Sequence, residues 1–149
     1  MKNYMGVKLI KAKKMTMNEW HKLNGSEISS EQSDSEGYMV KYSDEYTSWS
    51  PKAVFESAYL ELEEGTKITE KDVDNFIDEV EGTDMNTGKS TLTHVGTITG
   101  FDQYDVSSCV DPKNYDIQIG MDIGVKNIKS KLWGHLGFVL QWAKNGLKK

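Results

Sequence analysis

The segment Thr97-Ile-Thr-Gly-Phe101-Asp-Gln-Tyr-Asp-Val-Ser-Ser-Cys109-Val-Asp-Pro-Lys-Asn-Tyr115-Asp-Ile-Gln-Ile-Gly120 leaves the backbone few choices. Gly100 permits a tight bend before Phe101, and Tyr104-Asp-Val106 opens a second short alternating run. Asp111-Pro112 ends that run, because proline has no N–H to give a central strand. A side-chain oxygen of Asn114 or Asp116 can then cap a helix. Beyond it, Ile117, Met121, Gly124, Ile128, Leu132, Leu136, Val139 and Ala143 recur at helical spacing. The segment predicts strand, turn, strand and entry into the longest helix of the chain.

The elements before this segment build toward it. Thr69-Glu-Lys-Asp72 has capping-box spacing and predicts a helix to about Glu81, with Val73, Phe76, Ile77 and Val80 facing inward. Gly82 to Lys89 reads as a polar loop, and the alternating, threonine-rich run Thr91 to Thr99 as a strand. The five residues Glu63 to Lys67 carry no core side chain and mark a domain boundary.

Ahead of that boundary, Gly6 to Lys14 predicts a strand of mixed phase, and Thr16-Met-Asn-Glu19 caps a short helix through Leu23, stopped by Asn24-Gly25. Ser26 to Glu36 holds one large apolar residue, Ile28, and reads as a mobile surface loop. Gly37 to Tyr42 and Tyr46 to Trp49 form a hairpin around Ser43-Asp-Glu45. Ser50-Pro51 then opens a helix, with serine as cap and an apolar face of Val54, Phe55, Ala58, Tyr59 and Leu62. The expected class is α+β: small antiparallel sheets with flanking helices and a long C-terminal helix. Two domains are expected, 1–62 and 68–149.

Charge narrows the partners. The net charge of -5 disfavours long nucleic acid, which asks for a basic face, but allows a small anion. All 18 basic residues are lysine, so any phosphate must be met by point charges or backbone N–H groups. The most apolar run, Leu132 to Trp142, is too short to span a bilayer, and no apolar signal core follows the N-terminal lysines. The single Cys109 allows no internal disulfide, and a reducing cytoplasm is expected.

Several motifs yield to plainer readings. Gly82-Thr-Asp-Met-Asn-Thr-Gly88-Lys89-Ser90 resembles a phosphate loop, but five residues separate its glycines instead of four, and the expected order around it is helix then strand. His21, His94 and His135 lie on three different elements, with no metal-ligand spacing. Cys109, flanked by β residues, reads as a small buried hydrophobe. No nucleophile elbow and no acid and base pair is visible, so no enzyme activity and no cofactor are expected. Gly120 and Gly124, one turn apart, admit a close backbone contact, either with the sheet or between helices of two subunits. Trp133, Phe138 and Trp142 extend the apolar surface beyond one face and favour a homo-oligomer, a dimer or a multiple of dimers.

From Ile68 to Gly137 the chain resembles a family of small phage proteins that includes the first-described Thoeris anti-defence sponge. The resemblance lies in Ile68-Thr-Glu-Lys-Asp-Val73, Thr91-Leu-Thr93, Gly100-Phe101, Ser108-Cys-Val-Asp-Pro-Lys-Asn-Tyr-Asp116, Ile119-Gly120, Lys131-Leu-Trp133 and Gly137. It implies a non-enzymatic protein that binds a cyclic nucleotide messenger of bacterial immunity and withholds it from its effector. The messenger class is cyclic ADP-ribose-like or a cyclic oligonucleotide, and the place of action is the cytoplasm of the infected host. In such proteins an aromatic matching Phe101 stacks on a base, and a polar residue matching Asp111 lies at the pocket. Basic residues of the last helix face the phosphates. Met121 and Val125 stand where relatives commonly have arginine, which leaves Lys126 and Lys129 as the nearest cations. Tyr104 and Asn114 complete the expected ligand-binding set. Residues 4–62 resemble a phage leader module of no known activity, through Met15-Thr16, Gly37-Tyr-Met-Val-Lys-Tyr42, Ser48-Trp-Ser-Pro-Lys52 and Val54-Phe-Glu56.

The competing expectation is an accessory protein that binds a host protein and no small molecule. A basic aromatic concavity at a subunit interface favours the first reading, and a flat acidic apolar patch favours the second. An enzyme that cleaves such messengers ranks third.

Overall fold

The computed structural model describes residues 1–26 and 34–148, so most of the loop expected over Ser26 to Glu36 lies outside the described residues. Two compact units emerge, Met1–Glu61 with Trp142–Lys149, and Leu62–Gln141.

In the first unit, β1 (Lys11–Lys14), β2 (Gly37–Lys41) and β3 (Thr47–Pro51) form an antiparallel sheet in the order β1-β2-β3. β1 is shorter than expected and begins at Lys11. Helix α1 (Met17–Leu23) carries the full capping box, with Thr16 and Glu19 each accepting from the other's backbone N–H. Trp49 donates its indole N–H to the Met15 carbonyl at 2.8 Å, tying β3 to the start of α1.

Helix α2 (Lys52–Glu56) departs from expectation in both its cap and its length. Pro51 stays extended at φ -56 and ψ 145, takes the cap position itself and leaves Ser50 without a capping bond. Strand pairing with Gly37 holds it there. The helix stops before Leu62 because the Ser57 hydroxyl bonds back to the Val54 carbonyl and Ala58 reaches only the Phe55 carbonyl, which tightens the last turn. Phe55 is buried between Tyr38 and Tyr59, with ring centroids 4.1 and 4.9 Å away.

The second unit runs α3 (Glu70–Phe76), β4 (Ile77–Asp84), β5 (Ser90–Thr97), β6 (Asp102–Ser108), a 3₁₀ turn at Pro112–Asn114 and α4 (Ile117–Asn145) as far as Gln141, the last residues of that helix belonging to the first unit. Its sheet is antiparallel in the order β4-β5-β6. The helix expected to reach Glu81 stops at Phe76, and the chain passes directly into β4. The spacing of Phe76, Ile77 and Val80 suits a helix, but β5 offers a second edge. Val80 pairs with Val95 and Thr83 with Leu92, and that ladder overrides the local pattern. The loop is consequently shorter than expected and the segment like a phosphate loop lies in a β4–β5 hairpin connection, with Asn86 and Gly88 at φ 58 and 73. A strand precedes it, not a helix, and no helix follows to hold a phosphate.

The observed class is α+β, with two three-stranded antiparallel sheets and a long C-terminal helix. In the second unit, β5 turns Thr91, Thr93, Val95 and Thr97 into the interior, while α4 buries Gly124, Ile128, Leu132, Leu136 and Leu140. The buried seam thus repeats every fourth residue, and Ile117 and Val139, expected on it, are exposed. Gly120 and Gly124 belong to the helix–sheet contact. A Cβ at these positions would stand 2.7 Å from the Cβ of Thr91 and 2.5 Å from that of Thr93. This contact accounts for both glycines without a second helix.

Candidate functional site

The turn between β5 and β6 is pinned by one hydroxyl. Thr97 Oγ1 accepts the Phe101 N–H at 3.1 Å and donates to the Phe101 carbonyl at 2.9 Å, and the Thr97 N–H reaches that carbonyl at 3.2 Å. Gly100, at φ 74, makes the bend that this clamp requires. The Phe101 backbone is therefore fixed, yet the residue is 56% exposed and its ring meets His135 edge-on, at 6.2 Å between centroids. It is a projecting ring, not a core residue.

Along β6 the side chains alternate. Asp105 and Ser107 turn to α4, where Ser107 donates to the Gly120 carbonyl at 2.8 Å. Asp105 accepts from Asn127 at 2.8 Å and pairs with Lys131 at 3.5 Å. Tyr104 lies on the other face, 55% exposed, and stacks on His94 at 4.8 Å. His94 donates through Nε2 to Asp102 at 2.8 Å.

Beyond Ser108 the chain is held by its own turn bonds. Asp111 accepts the Lys113 N–H through Oδ1 at 2.9 Å, and its carbonyl accepts from Asn114 N–H and from Cys109 Sγ. Cys109 is half-buried, less enclosed than its neighbours in sequence suggest. Asp116 supplies the cap of α4, accepting from Gln118 and Ile119 at 2.8 and 3.2 Å. The Tyr115 hydroxyl meets Thr91 Oγ1 at 3.2 Å and the Ser90 carbonyl at 3.4 Å, anchoring this connection to β5. Asn114, Ile119 and Ile123 line a depression of about 80 Å³ here. Small-molecule pockets are usually about 300 to 1,000 Å³.

Within one chain the six candidate residues fall into separate places. Phe101 stands at one end of β6 and Asp111 and Asn114 beyond the other, on the order of 20 Å apart at strand rise. Tyr104 points away from α4. Lys126 is exposed and lies two residues from buried Gly124, which puts it on the solvent side of the helix. Lys129 pairs with Asp74 of α3 at 2.6 Å. The residue found beside Phe101 is His135, in ring contact, while Lys131, one turn earlier on α4, pairs with Asp105 further along β6. Their spacing was visible in the sequence, but which face of α4 meets the turn was not.

Among the described residues, no helix is long and apolar enough to cross a membrane, and no group of three or more His, Cys, Asp or Glu side chains is arranged to hold a metal ion. No curated protein and no solved structure matches the chain. Residues 68–143, just over half of it, match the phage protein (N4 Gp49/phage Sf6 gene 66) family. This match covers α3, the whole second sheet and nearly all of α4. The chain belongs to the phage protein (N4 Gp49/phage Sf6 gene 66) family.

Proposed function

We propose that this phage protein sequesters a cyclic nucleotide messenger, of the cyclic ADP-ribose type or a cyclic oligonucleotide, without catalysis. It would thereby counteract Thoeris or CBASS defence in the cytoplasm of the infected host. The observation that carries this reading is Phe101: an aromatic residue 56% exposed on a backbone clamped at both its N–H and its carbonyl. Such a ring can stack on a base with little ordering left to do.

One stack contributes about 1 to 3 kcal/mol, whereas nanomolar capture needs about 12. The remainder requires an enclosure larger than the depression beside Asn114, and a second subunit supplies it in this proposal. β6 is an edge strand, and Ile119 and Ile123 beside it are 58% and 48% exposed. Antiparallel pairing of two β6 edges about Asp105 brings Phe101 of one subunit toward Asp111 and Asn114 of the other. The two ends that one chain keeps apart then meet across the dyad.

A second reading has its own support. The outer face of the second sheet carries Leu92, Tyr104 and Val106 among Glu81 and Asp102, a flat acidic and apolar patch suited to binding a host protein. Calorimetric titration with cyclic mono-, di- and trinucleotides, paired with light scattering, separates the two. Saturable binding by a dimer or higher oligomer supports sequestration. A monomer that binds none of them removes it and leaves protein binding.

A further inference from the structure

We propose that the groove between the strap Val7 to Ile10 and the hairpin loop Tyr42 to Tyr46, in the first unit, binds a planar aromatic anion of nucleotide size. Tyr46 would stack on its ring, and Lys8 and Lys144 would meet its anionic group. The groove has a volume of about 640 Å³, which lies within the usual range for small-molecule pockets.

Its chemistry is paired in the way such a ligand needs. Tyr42 and Tyr46 stack at 5.8 Å between centroids. The Lys8 ammonium sits 5.6 Å from the centre of the Tyr42 ring, so the cation is already positioned and that ring face is taken. Tyr46, 63% exposed, offers the open face. Lys144 lines the groove from the end of α4.

The negative groups nearby have partners within the hairpin, although Asp44 is itself part of the groove lining. Asp44 turns its Oδ1 to the Tyr46 N–H at 3.1 Å, and Glu45 pairs with Lys41. The last turn of α4 would ordinarily repel an anion through its free carbonyls. Here the Ala143 carbonyl accepts the Leu9 N–H at 3.3 Å and the Trp142 carbonyl accepts the Gly146 N–H at 2.8 Å. The same Leu9 bond ties the strap in place as a wall. Lysines without arginine suit a phosphate or carboxylate met as a point charge, and tyrosine faces accept any base.

The test uses the full chain and a fluorescent N-methylanthraniloyl derivative of AMP, read by anisotropy, with AMP, adenosine and inorganic phosphate as competitors. Saturable binding is expected, with AMP displacing the probe at least about tenfold better than adenosine or phosphate alone. Tyr46→Leu should weaken binding by about 5- to 150-fold, the worth of one base stack. Lys8→Gln with Lys144→Gln should weaken it and flatten its salt dependence, and this pair decides the matter if Tyr46→Leu does not fold. Lys22→Gln, at an exposed lysine outside the groove, should leave probe binding unchanged. Absent binding, displacement by phosphate alone as effective as by AMP, or indifference to the groove substitutions would overturn the proposal.

Discussion

Gly124 of α4 lies so close to Thr93 of β5 that a β-carbon on the glycine would stand 2.5 Å from the threonine Cβ. Alanine there must push the helix off the sheet. Gly124→Ala should destabilise the second unit by about 1 to 3 kcal/mol despite alanine's better helix propensity. Gly134 provides the control, since nothing lies within 4 Å of its added Cβ. Gly134→Ala should raise stability by up to about 1 kcal/mol, so urea midpoints should move in opposite directions.

The same contact leaves one hydroxyl without a partner. Among the described residues, Thr93 Oγ1 is the buried side-chain polar atom with no hydrogen bond. Thr93→Val keeps the shape and removes the desolvated hydroxyl, so it should stabilise by about 1 kcal/mol. Thr97→Val should instead destabilise, because the Thr97 hydroxyl holds both backbone groups of Phe101. Thermal unfolding of the two variants side by side reads the difference.

Asp72 carries a pH dependence. It is 1% exposed and accepts from the Glu63 and Thr69 N–H groups at 2.8 Å and from the Thr69 hydroxyl at 2.9 Å. Burial pushes its pKa up, but these donors and the Lys71 charge outweigh burial and hold it below the ordinary aspartate value. A depressed folded pKa means that this stability is present above about pH 4, the unfolded value, and is lost as pH falls through the folded one. Asp72→Asn should lose about 1 to 3 kcal/mol at pH 7, and denaturation of this variant below pH 4 should show a shallower acid loss than the parent.

Phe101 tests the proposed sequestration. Phe101→Leu keeps most of the apolar volume but has no π face. Stability should stay within about 1.5 kcal/mol while messenger affinity falls about 5- to 150-fold. Lys126→Gln, at an exposed lysine, should lower affinity and flatten its salt dependence. Lys129→Gln should do so only if the messenger draws Lys129 from Asp74. Unchanged affinity in every variant, measured calorimetrically on the same oligomer, moves protein binding to the leading place.

Much of the fold was legible because its signals are local. Thr16 with Glu19 and Thr69 with Asp72 close the predicted capping boxes, Gly100 bends as expected, and Asp116 caps α4. What failed was decided at a distance. Ile77 and Val80 fit a helix by spacing, and only pairing with β5, with a register irregularity between Ile77 and Glu79, makes them strand. Ser50 could cap a helix, but Pro51 is held in a strand by Gly37. The candidate site was less legible still. Phe101 could be read as projecting at a bend, but its contact with His135, like the Lys131–Asp105 pair, depends on how α4 is rotated against β6. Side-chain spacing along one element does not report that rotation.

The threonines that β5 turns toward α4 also bear on how the second unit responds to temperature. Unfolding would hydrate three buried hydroxyl-bearing residues, Thr91, Thr93 and Thr97, together with Val95, where an all-aliphatic strand would expose only hydrocarbon. Hydrating apolar groups raises the heat capacity and hydrating polar ones lowers it. The three hydroxyls should accordingly lower the heat-capacity increment of unfolding by only a small amount, well inside the usual spread of about 12 to 15 cal/mol/K per residue, so valine in their place should raise it slightly and sharpen the curvature of stability with temperature.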